Sequence, residues 1–424
     1  MKILVVSNLF FPDEIGGYEI LCRQVSEQLA DRGHDVVVLT SQSSVSAHAG
    51  HPRGLRIRRD LQLTQNFLDA PLRPSWRSPQ WEKHNRVRTT SAIESERPDV
   101  VLVWSLRRLT LGPARAVQSC GRPSLYMLND AWPATYAPRP FSMSTRGFGR
   151  YLMDRTLWRR CTTLGLRHCR SVVVSEFLAQ ELPLTGPFSN SKVIPQGVPV
   201  RSFYAPVRAL QGGRVRLLFV GQVHPDKGPH IAIEAVSRLQ RRREDLPLSL
   251  TIVGAGDRHY TQALKRRARE LNISIQYRGW LDHAQMPAVY AAHDIFLFTS
   301  IWNEPFGLTH LEAMASGMPV IASRVGGTTE LLRNDNCALS YTPGSSQALA
   351  SQIERLCDEP EVYDRVARSG QRLVRKSYIL DGYVSRIEGT LYSVMHRSWP
   401  STGNTPPAGT PLPAVPNKAS ESPH

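Results

Sequence analysis

The sequence predicts an α/β fold of doubly wound parallel sheets, divided between two domains. At 424 residues the chain is long enough for two α/β domains with ample cores. From Arg216 onward, short apolar runs alternate without a break with segments of helical periodicity, as parallel strands with crossover helices require. The stretch from Asp294 to Ala322 shows the unit in one piece: strand, glycine-containing loop, helix, strand. In such units ligands bind outside the carboxyl ends of the strands.

In chain order, Lys2 to Ser7 is an apolar run that reads as the first strand. The apolar start is too short and wrongly flanked, by Pro12, Asp13 and Glu14, for a secretory signal. Gly16 and Gly17 precede a helix from Tyr18 to Arg32, with Ile20, Leu21, Val25 and Leu29 on one face and Gly33 at its end. Glycines ahead of a helix let backbone approach a ligand closely, although a flexible turn is the simpler reading. Asp35 to Thr40 is the next strand. Residues 41–96 are polar, Arg-rich and weakly periodic, and no element is assigned there. Pro98 to Trp104 and Pro123 to Leu128 are strands, the second running into Asn129, Asp130, Ala131 and Trp132.

Residues 141–170 carry seven arginines against one acid, Asp154, interleaved with Phe148, Tyr151, Leu152, Leu157 and Trp158. A basic, aromatic amphipathic helix lies on anionic lipid. A solvated helix packing its apolar stripe on the domain fits equally well. Ser171 to Ser175 and Lys192 to Val198 close a first domain over residues 1–200. A linker follows to about Gly213, and a second domain spans 213–375. Arg216 to Gly221 opens it. Lys227 then stands in a loop at a helix start, where a cation and the helix end together balance diphosphate charge. Leu248 to Gly256 and Ile273 to Trp280 are strands, and Pro287 to Ala292 is a short helix. Gly326 and Gly327 begin another helix, and the chain is helical from Ala348 to about His396. Residues 398–424, with seven prolines among Ser and Thr, read as a disordered tail.

The chemistry is placed in the loop and helix after Ser300. Glu304 lies before the helix and Glu312 about one turn inside it, so the two address different parts of one extended ligand. A carboxylate accepts paired hydrogen bonds from neighbouring hydroxyls, as in a sugar ring or ribose, while the N–H groups of Phe306, Gly307, Leu308 and Thr309 take phosphate charge. That combination suggests a nucleotide sugar. For any lone Glu, a solvated surface acid is the commoner reading.

Lys plus Arg exceed Asp plus Glu by 52 to 36, a net charge of +16, which points to anionic partners without choosing among nucleic acid, phosphorylated substrates and a membrane surface. No nucleic-acid-binding module accompanies the charge, so nucleic acid is not an expected partner. The six cysteines show no metal-ligand spacing and fit a reducing cytosol. No run approaches the roughly 20 apolar residues of a membrane span.

Two glutamates separated by seven residues, with Pro-Phe-Gly after the first and Ala-Met-Ala-Ser-Gly-Met-Pro-Val after the second, resemble the signature of retaining glycosyltransferases of family 4. The stretch from Gly16 to Thr40 is similar to the opening of these enzymes. The resemblance implies a GT-B architecture, two Rossmann-like domains facing across a cleft, and a hexosyltransferase-type activity. It implies that Gly16 and Gly17 face the donor phosphates or the acceptor, and that the backbone around Trp280 and Leu281 borders the nucleobase. It further implies that a last helix, about 376–397, returns to the first domain.

Two departures stand out. Many family members carry a histidine where this chain has Asn129, which hydrogen-bonds a sugar hydroxyl but cannot titrate. The family usually has an arginine at Gln222, so one positive charge is missing. Either the substrate differs or activity is reduced. The expectation is a cytoplasmic enzyme, peripheral at the inner face of the membrane if it touches one. It moves sugar from a nucleoside diphosphate to a glycan, lipid-linked or small-molecule acceptor. Lys227, Glu304 and Asn129 stand at the reacting centre, and with no DxD motif neither metal nor other cofactor is expected. The alternative is a catalytically weak subunit that binds nucleotide or glycan and regulates a partner.

Overall fold

A computed structural model describes residues 1–42, 54–64, 77–138, 149, 151–153, 155–156, 159–182, 186–210, 213–333 and 336–396. Two all-parallel sheets organise them. The first comprises β1 (Lys2–Val6), β2 (Asp35–Ser41), β3 (Leu55–Leu61), β4 (Val100–Val103), β5 (Ser124–Leu128), β6 (Ser171–Val173) and β7 (Ser191–Val193), in the spatial order β3-β2-β1-β4-β5-β6-β7. The second comprises β8 (Val215–Val220), β9 (Leu248–Val253), β10 (Ile275–Gly279), β11 (Ile295–Phe298), β12 (Val320–Ser323) and β13 (Leu339–Tyr341), in the order β10-β9-β8-β11-β12-β13. In each, the first strand in sequence sits inside the sheet and the order reverses beside it, at β1/β4 and at β8/β11. Such a switch point opens a crevice at the carboxyl ends of the strands.

The strands β1, β4 and β11 are buried on both faces, which explains their continuous apolar runs. On one face of the first sheet, Ile3, Val5 and Leu102 pack against Leu21, Val25 and Leu29 of α1 (Gly17–Asp31). The same cluster takes Leu380, Tyr383, Val384, Ile387 and Leu391 of the last helix, Leu380–Met395. That helix is further tied to the first sheet's end by Arg32 and His34, which bond Glu388 at 2.7 and 2.8 Å. The opposite face is covered by α2 (Ser78–Glu96) and α3 (Gly112–Ser119), through Ala92, Ile93, Ala114 and Val117.

The region left unassigned from sequence therefore holds an edge strand and a helix. The three arginines of β3 and the near absence of an apolar stripe on α2 hid them, because β3 is only half buried. The helical run from 348 resolves into three helices, Ser346–Asp358, Pro360–Ser377 and Leu380–Met395, because Pro360 opens the second and the chain extends at Ile379. Residues 141–148, 150, 154, 157 and 158 of the basic stretch and all of the tail 398–424 lie outside the described residues, and residues 159–170 form a short 3-10 turn and a loop rather than the amphipathic helix expected there. No helix among the described residues is long and apolar enough to cross a membrane.

Candidate active site

The crevice beside β8 and β11 gathers residues far apart in sequence. After β8 the chain turns through Pro225–Lys227, and Gly228 holds the turn in the left-handed region at φ +66. A Cβ there would lie 2.1 Å from the Thr299 carbonyl oxygen, so only glycine lets this turn nest against the end of β11. The Asp226 carbonyl accepts from the Ile301 amide at 2.8 Å, and Thr299 Oγ1 donates to the Lys227 carbonyl at 2.9 Å. These bonds bring the two loops together, and Lys227 Nζ forms an ion pair with Glu304 Oε1. Glu304 is only 6% exposed, Ser300 Oγ lies 3.0 Å from the same oxygen, and Lys227 Nζ sits 5.1 Å from the centre of the Trp302 ring.

Behind Glu304, the loop at Gly326 and Gly327 packs backbone on backbone. The Gly327 amide donates to the Glu304 carbonyl at 2.7 Å, and a Cβ on Gly326, at φ +48, would come within 2.3 Å of that carbonyl oxygen. Phe306 is buried against Tyr378 and His310, so only its backbone is available to a ligand. The amides of Phe306, Gly307 and Leu308 donate to no group among the described residues. They precede the helix Thr309–Ala315, whose first-turn amides also lack intrahelical partners.

Glu312 lies in that first turn, 6% exposed, with both oxygens engaged: His283 Nε2 at 2.8 Å from one and Tyr290 Oη donating at 2.8 Å to the other. Burial lowers the His283 imidazole, but the hydrogen bond and charge of Glu312 outweigh it and leave the pKa raised. Phe203, from the segment joining the two sheets, packs edge-on against both His283 and Tyr290, at 5.4 and 5.6 Å. His283 and Tyr290 carry no signal in sequence; they stand 29 and 22 residues before Glu312, and only the fold aims them at it.

Across the crevice stands the β1–α1 loop. A Cβ on Gly17 would approach Leu308 Cδ1 to 2.9 Å, which puts the paired glycines directly against the Glu304–Thr309 loop. Gly16 donates its amide to Glu19 Oε2 at 3.0 Å, and burial, helped by Asp130 and Glu14, pushes the Glu19 carboxyl up to about 7. Tyr18 Oη bonds the carbonyls of Trp104 and Met127 at 2.9 and 2.8 Å, which fixes the glycine loop to the ends of β4 and β5. At the end of β5, Asn129 is 7% exposed, and its Oδ1 and Nδ2 are buried without a hydrogen-bond partner. Gln222 is exposed at the end of β8, and Trp280 is 60% exposed beyond β10, with Leu281 half buried beside it. The described residues contain no group of three or more His, Cys, Asp or Glu placed to hold a metal.

Two family models divide this chain as the two sheets do: Glycosyltransferase Family 4 over residues 15–202 and Glycosyl transferases group 1 over 201–373. The protein belongs to the group 1 glycosyltransferases. Its relatives include a glycogen synthase of Mycobacterium tuberculosis, 28% identical over 390 residues, covering 89% of this chain and 91% of that protein. A D-inositol 3-phosphate glycosyltransferase of Corynebacterium glutamicum is 37% identical over 153 residues, 35% of this chain and 36% of its own. Among solved structures, Anabaena HepE in complex with UDP and glucose superposes with a TM-score of 0.68 at 20% identity, over 93% of this chain and all of that one. Sucrose-phosphate synthase of Thermosynechococcus elongatus gives 0.69 at 21% identity, over 94% and all of its chain. The glycosyltransferase therefore has the GT-B fold.

Proposed function

We propose that this glycosyltransferase moves a hexosyl group from a nucleoside-diphosphate sugar to a glycan, lipid-linked or small-molecule acceptor, with retention at the anomeric carbon. The observation that carries the reading is the meeting of Lys227, Glu304 and three unpaired loop amides at one switch point. A solved structure of the same fold holds UDP-glucose, which supports a nucleotide-sugar donor.

In this reading the bond from the anomeric carbon to the diphosphate oxygen breaks, its electron pair staying on the leaving oxygen. Lys227 and the amides of Phe306 to Thr309 stabilise that charge in a site with little water. Glu304 and Asn129 hold sugar hydroxyls, and the free amide atoms of Asn129 suit that task as donor and acceptor. Glu312 grips the ribose with the lone pairs that His283 and Tyr290 leave free. Trp280 and Leu281 border the base, Gln222 contacts the donor, and Gly16 and Gly17 let the phosphates come close. The acceptor hydroxyl attacks from the side the diphosphate leaves and gives its proton to the leaving phosphate oxygen. The chain has no DxD motif, and Lys227 supplies the charge a metal would otherwise bring. The enzyme works in the cytoplasm, with any membrane contact peripheral.

Thermal unfolding with UDP, GDP, ADP and dTDP tests this. A diphosphate at about a hundredfold its Kd adds roughly 2.7 kcal/mol to the native state. One of the four is expected to shift the melt, and Glu312→Ala to abolish the shift. No shift with any of them would overturn the reading in favour of a non-catalytic subunit.

A further inference from the structure

Away from the crevice, α2, α3 and the loop 159–167 border an open pocket of about 210 Å³ whose lining includes Arg86, Arg115, Arg160, Arg167, Gln118 and Ser119. None of these residues belongs to the candidate active site. The cavity is built by α3. Arg115 donates to the carbonyls of Arg159, Arg160, Thr162 and Leu164, at 2.8–3.2 Å, and wraps the loop around its guanidinium. Gln118 bonds the Arg167 backbone in both directions, each at 3.1 Å. On the other wall α2 and α3 cross closely, since a Cβ on Gly112 would lie 2.4 Å from the Glu82 carbonyl oxygen.

Charge in this pocket is only partly compensated, four arginines standing beside one buried carboxylate. Among the described residues Arg86, Arg160 and Arg167 form no close ion pair, although the Glu82 carboxylate attracts Arg86 and Arg160, and Arg160 and Arg167 are exposed. Glu82, 2% exposed, lies 3.8 Å from Arg115 and is the one acid beside them. Burial lowers the Arg115 guanidinium, Glu82 opposes this, and Arg86 and Arg160 add to it. Concave surfaces lined with one sign of charge concentrate counter-ions, and the planar guanidinium matches phosphate oxygens two at a time. The volume is several times the roughly 30 Å³ of a water molecule and accepts a phosphoryl group.

We propose that this pocket is a second anion site, on the first domain, that binds a phosphoryl group of a ligand other than the sugar donor. Two of the arginines that make residues 141–170 so basic, Arg160 and Arg167, thus converge with arginines from α2 and α3. The phosphoryl group comes either from a soluble phosphorylated ligand or from a lipid headgroup.

Calorimetric titration with inorganic pyrophosphate tests the site. The full chain carrying Lys227→Ala, which removes the crevice cation, is compared with the same chain also carrying Arg86→Gln and Arg160→Gln. Loss of the charge-assisted bonds is expected to weaken binding about tenfold or more, while Arg368→Gln, whose residue pairs with Asp364 elsewhere, has no effect. Equal affinity with and without the two arginines, together with unchanged partition to anionic vesicles, would overturn the proposal. If the double change unfolds the chain by circular dichroism, the exposed Arg167→Gln is titrated in its place, with the same two outcomes. Sedimentation with phosphatidylcholine vesicles, with and without phosphatidylglycerol, separates the sources. Weaker partition to the anionic vesicles alone assigns the site to a lipid headgroup. Weaker pyrophosphate binding with unchanged partition assigns it to a soluble ligand, and no change in either removes the site.

Discussion

Lys227 Nζ and Glu304 Oε1 form an ion pair although 77 residues separate them. The pairing exists because β8 and β11 are neighbours at the switch point, so the loops leaving them meet. In the proposed reaction a donor diphosphate competes with Glu304 for this cation, which leaves Glu304 free for the sugar hydroxyls. Lys227→Ala is expected to lower turnover at saturating donor on the order of 10²–10³-fold. It also leaves a nearly buried carboxylate unpaired, costing about 3 kcal/mol in urea unfolding. Adding Glu304→Gln recovers most of that stability and none of the turnover. Independent, additive stability effects would show that the pair does not couple.

His283 and Glu312 give the fold a pH signature. The His283 pKa is raised in the folded state, so its bond to Glu312 contributes stability fully below the ordinary imidazole value and loses it as pH rises through the raised value. Urea unfolding at about pH 6 and about pH 8 is expected to show a fall across the interval that His283→Gln reduces. The same variant raises KM for the donor, because Glu312 loses one of its two braces.

Glu19 behaves in the opposite sense to most carboxylates. Its folded pKa, pushed up to about 7, exceeds the unfolded value, so the native state holds its proton longer and stability falls as pH rises from the ordinary Glu range through 7. Glu19→Gln retains an oxygen for the Gly16 amide and carries no charge. It is expected to stabilise the protein at about pH 8 by on the order of 2 kcal/mol and to have no such effect at about pH 4. An unchanged melt at both values would show that the carboxyl stays ionised without cost.

Gly326 and Gly344 separate two costs of a side chain. Both have positive φ, but a Cβ at Gly344 meets nothing within 4 Å, whereas one at Gly326 meets the Glu304 carbonyl oxygen at 2.3 Å. Gly344→Ala is expected to cost about 1–2 kcal/mol from the backbone alone. Gly326→Ala costs more and displaces Glu304, so it also lowers activity. Equal unfolding free energies for the two would mean that the loop behind Glu304 yields freely.

Much of the fold was legible because parallel strands buried on both faces write themselves as apolar runs. β1, β4 and β11 are such runs, and α1 shows its stripe of Leu21, Val25 and Leu29. The half-buried edge strand β3, with arginines at 56, 58 and 59, and α2, with no clear apolar stripe, were not legible. Burial on one side or at an edge leaves too weak a pattern. The Glu304–Glu312 spacing and Lys227 were legible for a different reason: each sits in a local strand-loop-helix unit whose glycines punctuate the sequence.

The sequence by itself determined the α/β class, the two halves, the acids and the cation of the candidate site, and the positive charge of the chain. Only the tertiary structure decided which of these meet. It joined Lys227 to Glu304, set His283 and Tyr290 on Glu312, and left the amide atoms of Asn129 unpartnered at the end of β5. It also closed Arg86, Arg115, Arg160 and Arg167 around one cavity. Local patterns record which face of an element is buried, because burial repeats with the period of the helix or strand. Which loops become neighbours depends on strand order, and strand order is set by packing between elements distant in the chain.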